Sequence, residues 1–438
     1  MPPPAGRLPA SRLPVVRLST ERASRHPWVY RKMVRSPRGT MAPGTLVEVQ
    51  TRDGAFAGRG IFNPRSEIAL RILTEDESEA LGPGFFLSRL RAAKGLREDI
   101  LRIPERADAW RLCHGEADGL SGLVIDRFGE TLVVKPYSAG YVGTIDHVAA
   151  ALEELFPGCR IAFRMDATAV KREGLAPPAV ARIAKRFPAS GRITIRERDM
   201  KMLVDLETGH KTGYFLDQRE NRARFARLTK GMRVLDCFSY TGGFAISAML
   251  GGAASATAVD LDEKAIAVAR ENAKLNGTAV DFVHSDVFGY LRKMISRGET
   301  VDALVLDPAK LASVKNELPV AKRKYGDVNR LGLRVVRDGG IVLTCSCSGL
   351  VSEAEFVSIV SNSAAEAGVR LQVFEIAGAG GDHPVASDFP EGRYLKAVFA
   401  RVTRRGVREA PPEVARPSRA ERRERKQRKG RGDGSRKT

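Results

Sequence analysis

From about residue 200 the chain alternates short apolar runs with helical stretches. Arg233–Cys237, Thr257–Asp260, Asp281–His284, Val301–Leu306 and Ile341–Cys345 read as strands. Phe244–Leu250, Glu263–Leu275, Val287–Ile295 and Asp327–Val336 read as helices between them. Asn276-Gly277 is a left-handed helix stop, and Ser352 with Glu355 matches a capping box before a further helix. Parallel strands need helical crossovers, so this alternation predicts a largely parallel, doubly wound sheet. Tyr394–Ala400 alternates as a final edge strand. In such sheets ligands bind outside the carboxyl ends of the strands.

Those ends carry acids. In Val234-Leu235-Asp236-Cys237-Phe238-Ser239-Tyr240-Thr241-Gly242-Gly243-Phe244 a strand closes on Asp236, and a turn through Tyr240 then opens a helix. Gly242 and Gly243 would let a ligand approach the backbone. The run is neither a P-loop nor the dinucleotide fingerprint. Asp236 disfavours a pyrophosphate and suits a ligand with a positive centre. Asp260 ends the next strand, where a carboxylate can accept both ribose hydroxyls. Asp286 follows the third, where an adenine edge could be read, and Asp307 ends the fourth. Any one of these acids could be a helix N-cap. Four in succession favour a site for S-adenosylmethionine.

Two further segments carry chemistry. Gly209 to Arg222 is dense in polar and aromatic groups, and its glycines around Lys211 suggest a lid over a cofactor, with Gln218 a cofactor contact. Thr344-Cys345-Ser346-Cys347-Ser348 lies at the carboxyl end of the fifth strand, facing the same crevice as Asp307. Two cysteines alone fall short of the four ligands zinc wants, so no metal is expected. A nucleophile is the sharper reading. Thiolate addition to C6 of a pyrimidine makes C5 reactive, which calls for one accessible, low-pKa Cys. Alternation places Cys345 and Cys347 on one side and does not choose between them.

The residues before this sheet divide in two. Leu46–Gln50, Ala55–Phe62 and Ile68–Leu73 read as strands of a β-rich unit, with a bulge or close backbone approach at Gly58 and Gly60. Phe85–Leu101 reads as a helix, Gly122–Gly129 with Thr131–Lys135 as a hairpin, and Tyr141–Leu155 as a helix. Arg172-Glu173-Gly174 with Pro177-Pro178 reads as an irregular surface loop. No apolar run reaches the roughly 20 residues of a membrane helix, and no signal segment opens the chain. Five cysteines without a pairing pattern fit a reducing compartment. A soluble cytoplasmic protein without a membrane partner is expected. The net charge of +20 points to an anionic partner, nucleic acid first. Half of it, +10, falls in residues 401–438, a tail that reads as disordered.

His210-Lys211-Thr212-Gly213-Tyr214-Phe215-Leu216-Asp217-Gln218-Arg219, the Cys237–Phe244 run, Ser346-Cys347-Ser348-Gly349-Leu350, Asp382-His383-Pro384 and Pro390–Lys396 resemble the RlmI family of bacterial 23S rRNA cytosine-C5 methyltransferases. Arg25-His26-Pro27-Trp28-Val29 and Gly58-Arg59-Gly60 are similar to its PUA domain, and Arg111 to Gly129 to its central domain. The resemblance implies an α/β protein in three parts. A PUA-like RNA-binding β-barrel spans 13–78 and a central α+β domain 79–196. A doubly wound, Rossmann-like class I methyltransferase domain spans 197–403, leaving 404–438 as a disordered basic tail.

It further implies S-adenosyl-L-methionine as cofactor and single-stranded or partly unfolded 23S rRNA as partner; a homodimer is compatible with it. The family's reactive Cys maps to Cys347, and its Asp-Pro-Pro-Lys motif to Asp307-Pro308-Ala309-Lys310, which makes Asp307 and Lys310 catalytic candidates. The departure at Ala309 removes a proline-fixed φ and loosens that loop. Arg25, Trp28, Arg59, Phe62 and Lys211 are candidate RNA contacts, the cations for phosphate and the rings for stacking. Methylation of a base nitrogen, a non-catalytic ribosome-assembly role and a small-molecule substrate are the competing readings.

Overall fold

The computed structural model describes residues 13–404 apart from 23, 36–38 and 210. Residues 405–438 of the basic tail and His210 of the lid motif therefore lie outside the described residues, whereas 401–404, read as the start of the tail, are the end of a strand. The N-terminal unit is one five-stranded sheet in the order Val15–Arg17, Thr45–Gln50, Phe56–Phe62, Ile68–Thr74, Trp28–Tyr30. Backbone hydrogen bonds from Ser19 to Met33 (2.8 Å) and from Arg35 to Arg17 (2.9 Å) bring its two outer strands together. The sheet curls around Val16, Val29, Val47, Val49 and Leu70. The register shifts after Arg59, where a Cβ on Gly60 would stand 2.1 Å from the Arg71 carbonyl oxygen. Only glycine lets the two strands approach so closely.

The central region is a four-stranded sheet in the order Ala109–His114, Leu123–Phe128, Thr131–Pro136, Arg160–Phe163. The hairpin pairs Leu123 with Pro136 through Phe128 with Thr131, as read. The helices Pro83–Gly95 and Ile145–Leu155 pack on it. The segment read as an irregular loop is instead two short helices, Ala167–Glu173 and Pro177–Arg186. Gly174 closes the first at φ +67, and Pro177 opens the second, where a missing N–H is harmless.

The large sheet has seven strands in the order Asp281–His284, Ser255–Asp260, Arg233–Cys237, Val301–Leu306, Val336–Ser346, Lys396–Arg404, Val369–Ala377. All are parallel except Lys396–Arg404, which runs antiparallel to both neighbours. The final strand is therefore not at the edge. Ala397, Val398, Phe399 and Ala400 are all buried, so it is covered on both faces and hydrogen-bonded on both sides. The helix read from Asp327 begins earlier and spans Leu318–Val335. The Ser352–Glu355 capping box is present, with Glu355 N donating to Ser352 Oγ at 3.2 Å. From Arg233–Cys237 the chain winds outward through two strands, then returns to Val301–Leu306 on the other side, which places the switch point between those two neighbours. No helix among the described residues is long and apolar enough to cross a membrane.

Candidate active site at the switch point of the large sheet

The loop leaving Arg233–Cys237 is wound tightly. Phe238 (φ 63), Tyr240 (φ 48) and Gly242 (φ 85) enter the left-handed region. For the two non-glycine residues this costs about 1–2 kcal/mol each. Asp260 helps to hold the turn, since its Oδ2 accepts from Tyr240 N at 2.8 Å and its Oδ1 from Asp262 N at 2.9 Å. A carboxylate offers about four lone-pair sites, so Asp260 retains capacity for ribose hydroxyls. The glycines act otherwise than expected. A Cβ on Gly242 would meet Ile246, Phe282 and Ala269 at 3.2–3.3 Å, and one on Gly243 would meet Arg222 at 3.1 Å. Their missing side chains make room for the protein's own packing.

Asp236 is buried beneath this loop. Its Oδ2 accepts from Ala245 N at 3.0 Å, while its Oδ1 has no partner among the described residues. Burial pushes its carboxyl up to about 8; the Ala245 hydrogen bond opposes this, and the charges of Asp307 and Asp260 add to it. A buried, unanswered acceptor with this bias fits a cationic ligand. Asp286 is exposed and caps the helix Val287–Ser296 through Gly289 N at 2.7 Å. The structure thus gives it the N-cap role.

Asp307 follows the adjoining strand and accepts from Gln218 Nε2 at 3.0 Å. Gln218 in turn accepts from Asn221 at 2.7 Å. Burial and the neighbouring Asp217 charge raise the Asp307 carboxyl to about 7. Asp217, which sequence reasoning did not single out, accepts from Lys211 Nζ at 2.7 Å and from the Tyr394 hydroxyl at 2.6 Å. Burial opposes its ionisation most strongly, but the charges of Lys211 and His383 and the hydrogen bonds from Lys211 and Tyr394 together outweigh it and hold the carboxyl well below the usual carboxylate range. Lys211 is therefore no free phosphate contact: its charge is matched by Asp217, and it lies over the Phe215 ring at 4.4 Å.

The two cysteines separate. Cys345 is fully buried in the sheet, whereas Cys347 lies just beyond the strand end at Ser346 and is partly exposed. The Cys347 thiol is not low. Burial and the Asp307 charge push it up to about 11. Ser348 Oγ accepts from Leu311 N and Ala312 N, both at 3.2 Å, and bonds the Tyr325 hydroxyl at 3.0 Å. This clamp holds the loop in which Ala309 replaces a proline; Ala309 and Lys310 themselves are exposed. Lys396, also missed, donates to the carbonyls of Ser348 (2.7 Å) and Tyr394 (2.9 Å) and fixes the Cys347 turn from behind. Tyr394 and Lys396 lie in a run that sequence alternation assigned to a strand, which hid their polar roles.

The N-terminal candidates sit apart from this crevice. Arg25 is exposed and 3.7 Å from Glu75. Trp28 donates to Glu116 at 2.8 Å and meets Phe389 edge-on at 4.7 Å. Arg59 donates to the carbonyls of Glu77 (2.8 Å) and Glu79 (2.7 Å), a structural use. Phe62 is 3% exposed in the core and offers no face for stacking.

A seven-stranded sheet with one reversed strand, with acids and an orphaned carboxylate oxygen at its switch point, defines a methyltransferase that uses S-adenosylmethionine. Comparison with known proteins agrees. Residues 186–377 match the model of an S-adenosylmethionine-dependent methyltransferase family, and residues 20–75 that of a PUA-like domain. A methyltransferase structure in complex with SAH superposes with a TM-score of 0.74 at 19% identity, covering 89% of this chain and 99% of that one. A SAM-dependent methyltransferase from Streptococcus mutans gives 0.69 at 20% identity, covering 83% and 93%. The ribosomal RNA large subunit methyltransferase I of Aeromonas hydrophila is 40% identical over 380 residues, 86% of this chain and 95% of that protein. Its namesake from Klebsiella pneumoniae is 41% identical over 381 residues, 86% and 94%. The chain belongs to the ribosomal RNA large subunit methyltransferase I family.

Proposed function

We propose that this protein methylates C5 of a cytosine in 23S rRNA, with Cys347 as nucleophile. The observation that carries this reading is the placement of a reachable Cys347 and a buried Asp307, its carboxyl raised by burial, on neighbouring strand ends of one crevice. Bound S-adenosylmethionine supplies a methyl group activated by its sulfonium. The residues that would hold it are Asp236 and Asp260, with Gln218 and Tyr240 beside them.

At neutral pH Cys347 is a thiol, and Asp307, near 7, exists in both forms. Addition of Sγ to C6 balances if the thiol proton passes through the Asp307 carboxyl to N3 of the base. C5 then becomes nucleophilic and takes the methyl group. Loss of the C5 proton to a base and expulsion of Sγ restore the ring. Asp217, neutralised by Lys211, keeps its charge from overwhelming Asp307. The base must leave any helical stack to reach the crevice, so a single-stranded or unfolded rRNA segment is the substrate. A ribosomal substrate places this work in the cytoplasm.

The test is purified protein with labelled methyl donor and 23S rRNA lacking the mark. The expected product is 5-methylcytidine, with Cys347→Ala inactive and Cys345→Ala active. RNA carrying 5-fluorocytidine should leave a stable protein–RNA adduct in the wild type and none in Cys347→Ala. Activity that survives loss of Cys347, or a product methylated on nitrogen, overturns the assignment.

A further inference from the structure

A cavity of about 500 Å³ lies where the three parts of the chain meet, beside the crevice but separate from it. The N-terminal sheet contributes Trp28 and Arg71, the central region His114, Glu116 and Tyr137, and the methyltransferase part Phe389 and Tyr394. Its size falls within the range of small-ligand pockets, about 300–1,000 Å³. Its rings share the lining with three further glutamates that are already engaged, Glu67 with Arg31 (3.8 Å), Glu391 with His26 (3.2 Å) and Glu173 with Asn63 (2.9 Å), and Tyr137 is exposed.

The polar groups are arranged to receive something. Glu116 Oε1 accepts from Trp28 Nε1 at 2.8 Å, Arg71 Nη1 at 3.1 Å and Ser121 Oγ at 2.9 Å. Its Oε2 takes no hydrogen bond from the described residues. At the mouth stand Arg65 and Arg172, both exposed. The Arg65 side chain donates only to the Gly174 carbonyl, at 3.3 Å, and neither arginine pairs with a carboxylate among the described residues. An aromatic interior, an acceptor in its wall and two uncompensated cations at its rim match the base, base edge and phosphate of one nucleotide.

Tyr394 ties the cavity to the chemistry. Its ring lines the cavity, while its hydroxyl donates to Asp217, beside Asp307. Tyr394 therefore touches both spaces. We infer that this cavity binds a nucleotide flanking the target base, turned out of the strand on the far side of Tyr394. Two neighbouring nucleotides would then be splayed across one ring, with the phosphate of the second on Arg65 and Arg172. The inference rests on RNA being the substrate, as proposed above.

The test combines two readouts. Single-stranded oligoribonucleotides of mixed sequence are cross-linked to the full-length protein by ultraviolet light, and the modified peptides are read by mass spectrometry. Nucleotide adducts are expected on the peptides bearing Trp28, Tyr137 or Phe389, and they should disappear in the Arg65→Glu/Arg172→Glu double variant. Both positions are at the surface, so the variant should fold, which circular dichroism checks. In the methylation assay the same variant should raise KM for rRNA at least about tenfold, since only phosphate contacts are lost, with kcat and cofactor affinity within twofold of wild type. Adducts confined to other peptides, together with an unchanged KM, overturn the inference. Adducts in the cavity with no rRNA methylation by the wild type would instead refute the proposed reaction and leave the cavity's role standing. A variant that loses kcat and KM alike through misfolding is separated by Tyr137→Ala, which should remove stacking alone and raise KM alone.

Discussion

Asp236 holds a carboxylate oxygen that no described residue answers. Its folded-state value of about 8 lies above the ordinary 3.8, so the folded protein favours the neutral acid. The stability this contributes is complete below about pH 4 and is lost as pH rises through about 8. Asp236→Asn should therefore raise Tm over wild type, and by more at about pH 9 than at about pH 5. A cationic cofactor needs the ionised form. Calorimetric affinity for S-adenosylmethionine should rise with pH, approaching about tenfold per unit below the group's titration point, and the Asn variant should be weak and flat. A wild-type affinity independent of pH between 6 and 9 would contradict this. The acids were legible in the sequence because a strand end is a fixed place in a doubly wound sheet. Their states were not. Two groups are shifted the same way by different neighbours: Asp307 is raised by burial and the Asp217 charge, and Cys347, expected low, is raised by burial and the Asp307 charge. Protonation depends on neighbours brought from far along the chain.

Secondary-structure elements were read well where one periodicity dominates. Glu263–Leu275 and Val301–Leu306 fall where the pattern put them. The reading failed where tertiary pairing decides. Lys396–Arg404 is last in sequence but pairs on both sides, because Val369–Ala377 closes the sheet beyond it. The Ser348 clamp is equally invisible, since it joins two loops 36 and 37 residues apart. Gly242 is the element-scale residue most open to test. At φ +85 and with Ile246 and Phe282 at 3.2 Å, Gly242→Ala must strain the turn and displace the helix behind it. A cost of about 1–2 kcal/mol from the backbone alone is expected. Thermal unfolding should shift down, and cofactor affinity should fall with it because Tyr240 and Asp260 are hung on the same turn. Loss of affinity without loss of stability would instead mean that the glycine faces the ligand.

At the scale of the molecule, the central region does more than connect. Asp382, fully buried, accepts from Arg219 Nη1 at 3.0 Å and from Arg111 N at 2.9 Å, and its carbonyl accepts from Arg97 at 2.8 Å. Arg164 and Lys135 donate to the carbonyls of Gly209 and Lys211, so the central sheet also holds the segment read as a lid. Asp382→Ala would take from buried Arg219 its closest counter-charge and leave Glu220 at 3.4 Å, a loss of up to about 3 kcal/mol. It should lower Tm and loosen the site, read as faster proteolysis of the 209–222 segment. Charge makes the last prediction. Residues 401–438 carry half of the +20 excess, while Arg25, Arg59 and Arg71 of the N-terminal unit are matched by carboxylates or carbonyls. The structured part still carries exposed cations that pair with no described carboxylate, among them Lys171, Lys185, Arg323 and Lys324, besides Arg65 and Arg172 at the cavity. Deleting residues 404–438 should weaken RNA binding and flatten its dependence on salt, because fewer counterions are released. The methylated nucleotide, mapped by mass spectrometry of rRNA fragments, should not change. A shifted target would mean that the tail reads sequence or shape, and that the cavity and crevice alone do not choose the site.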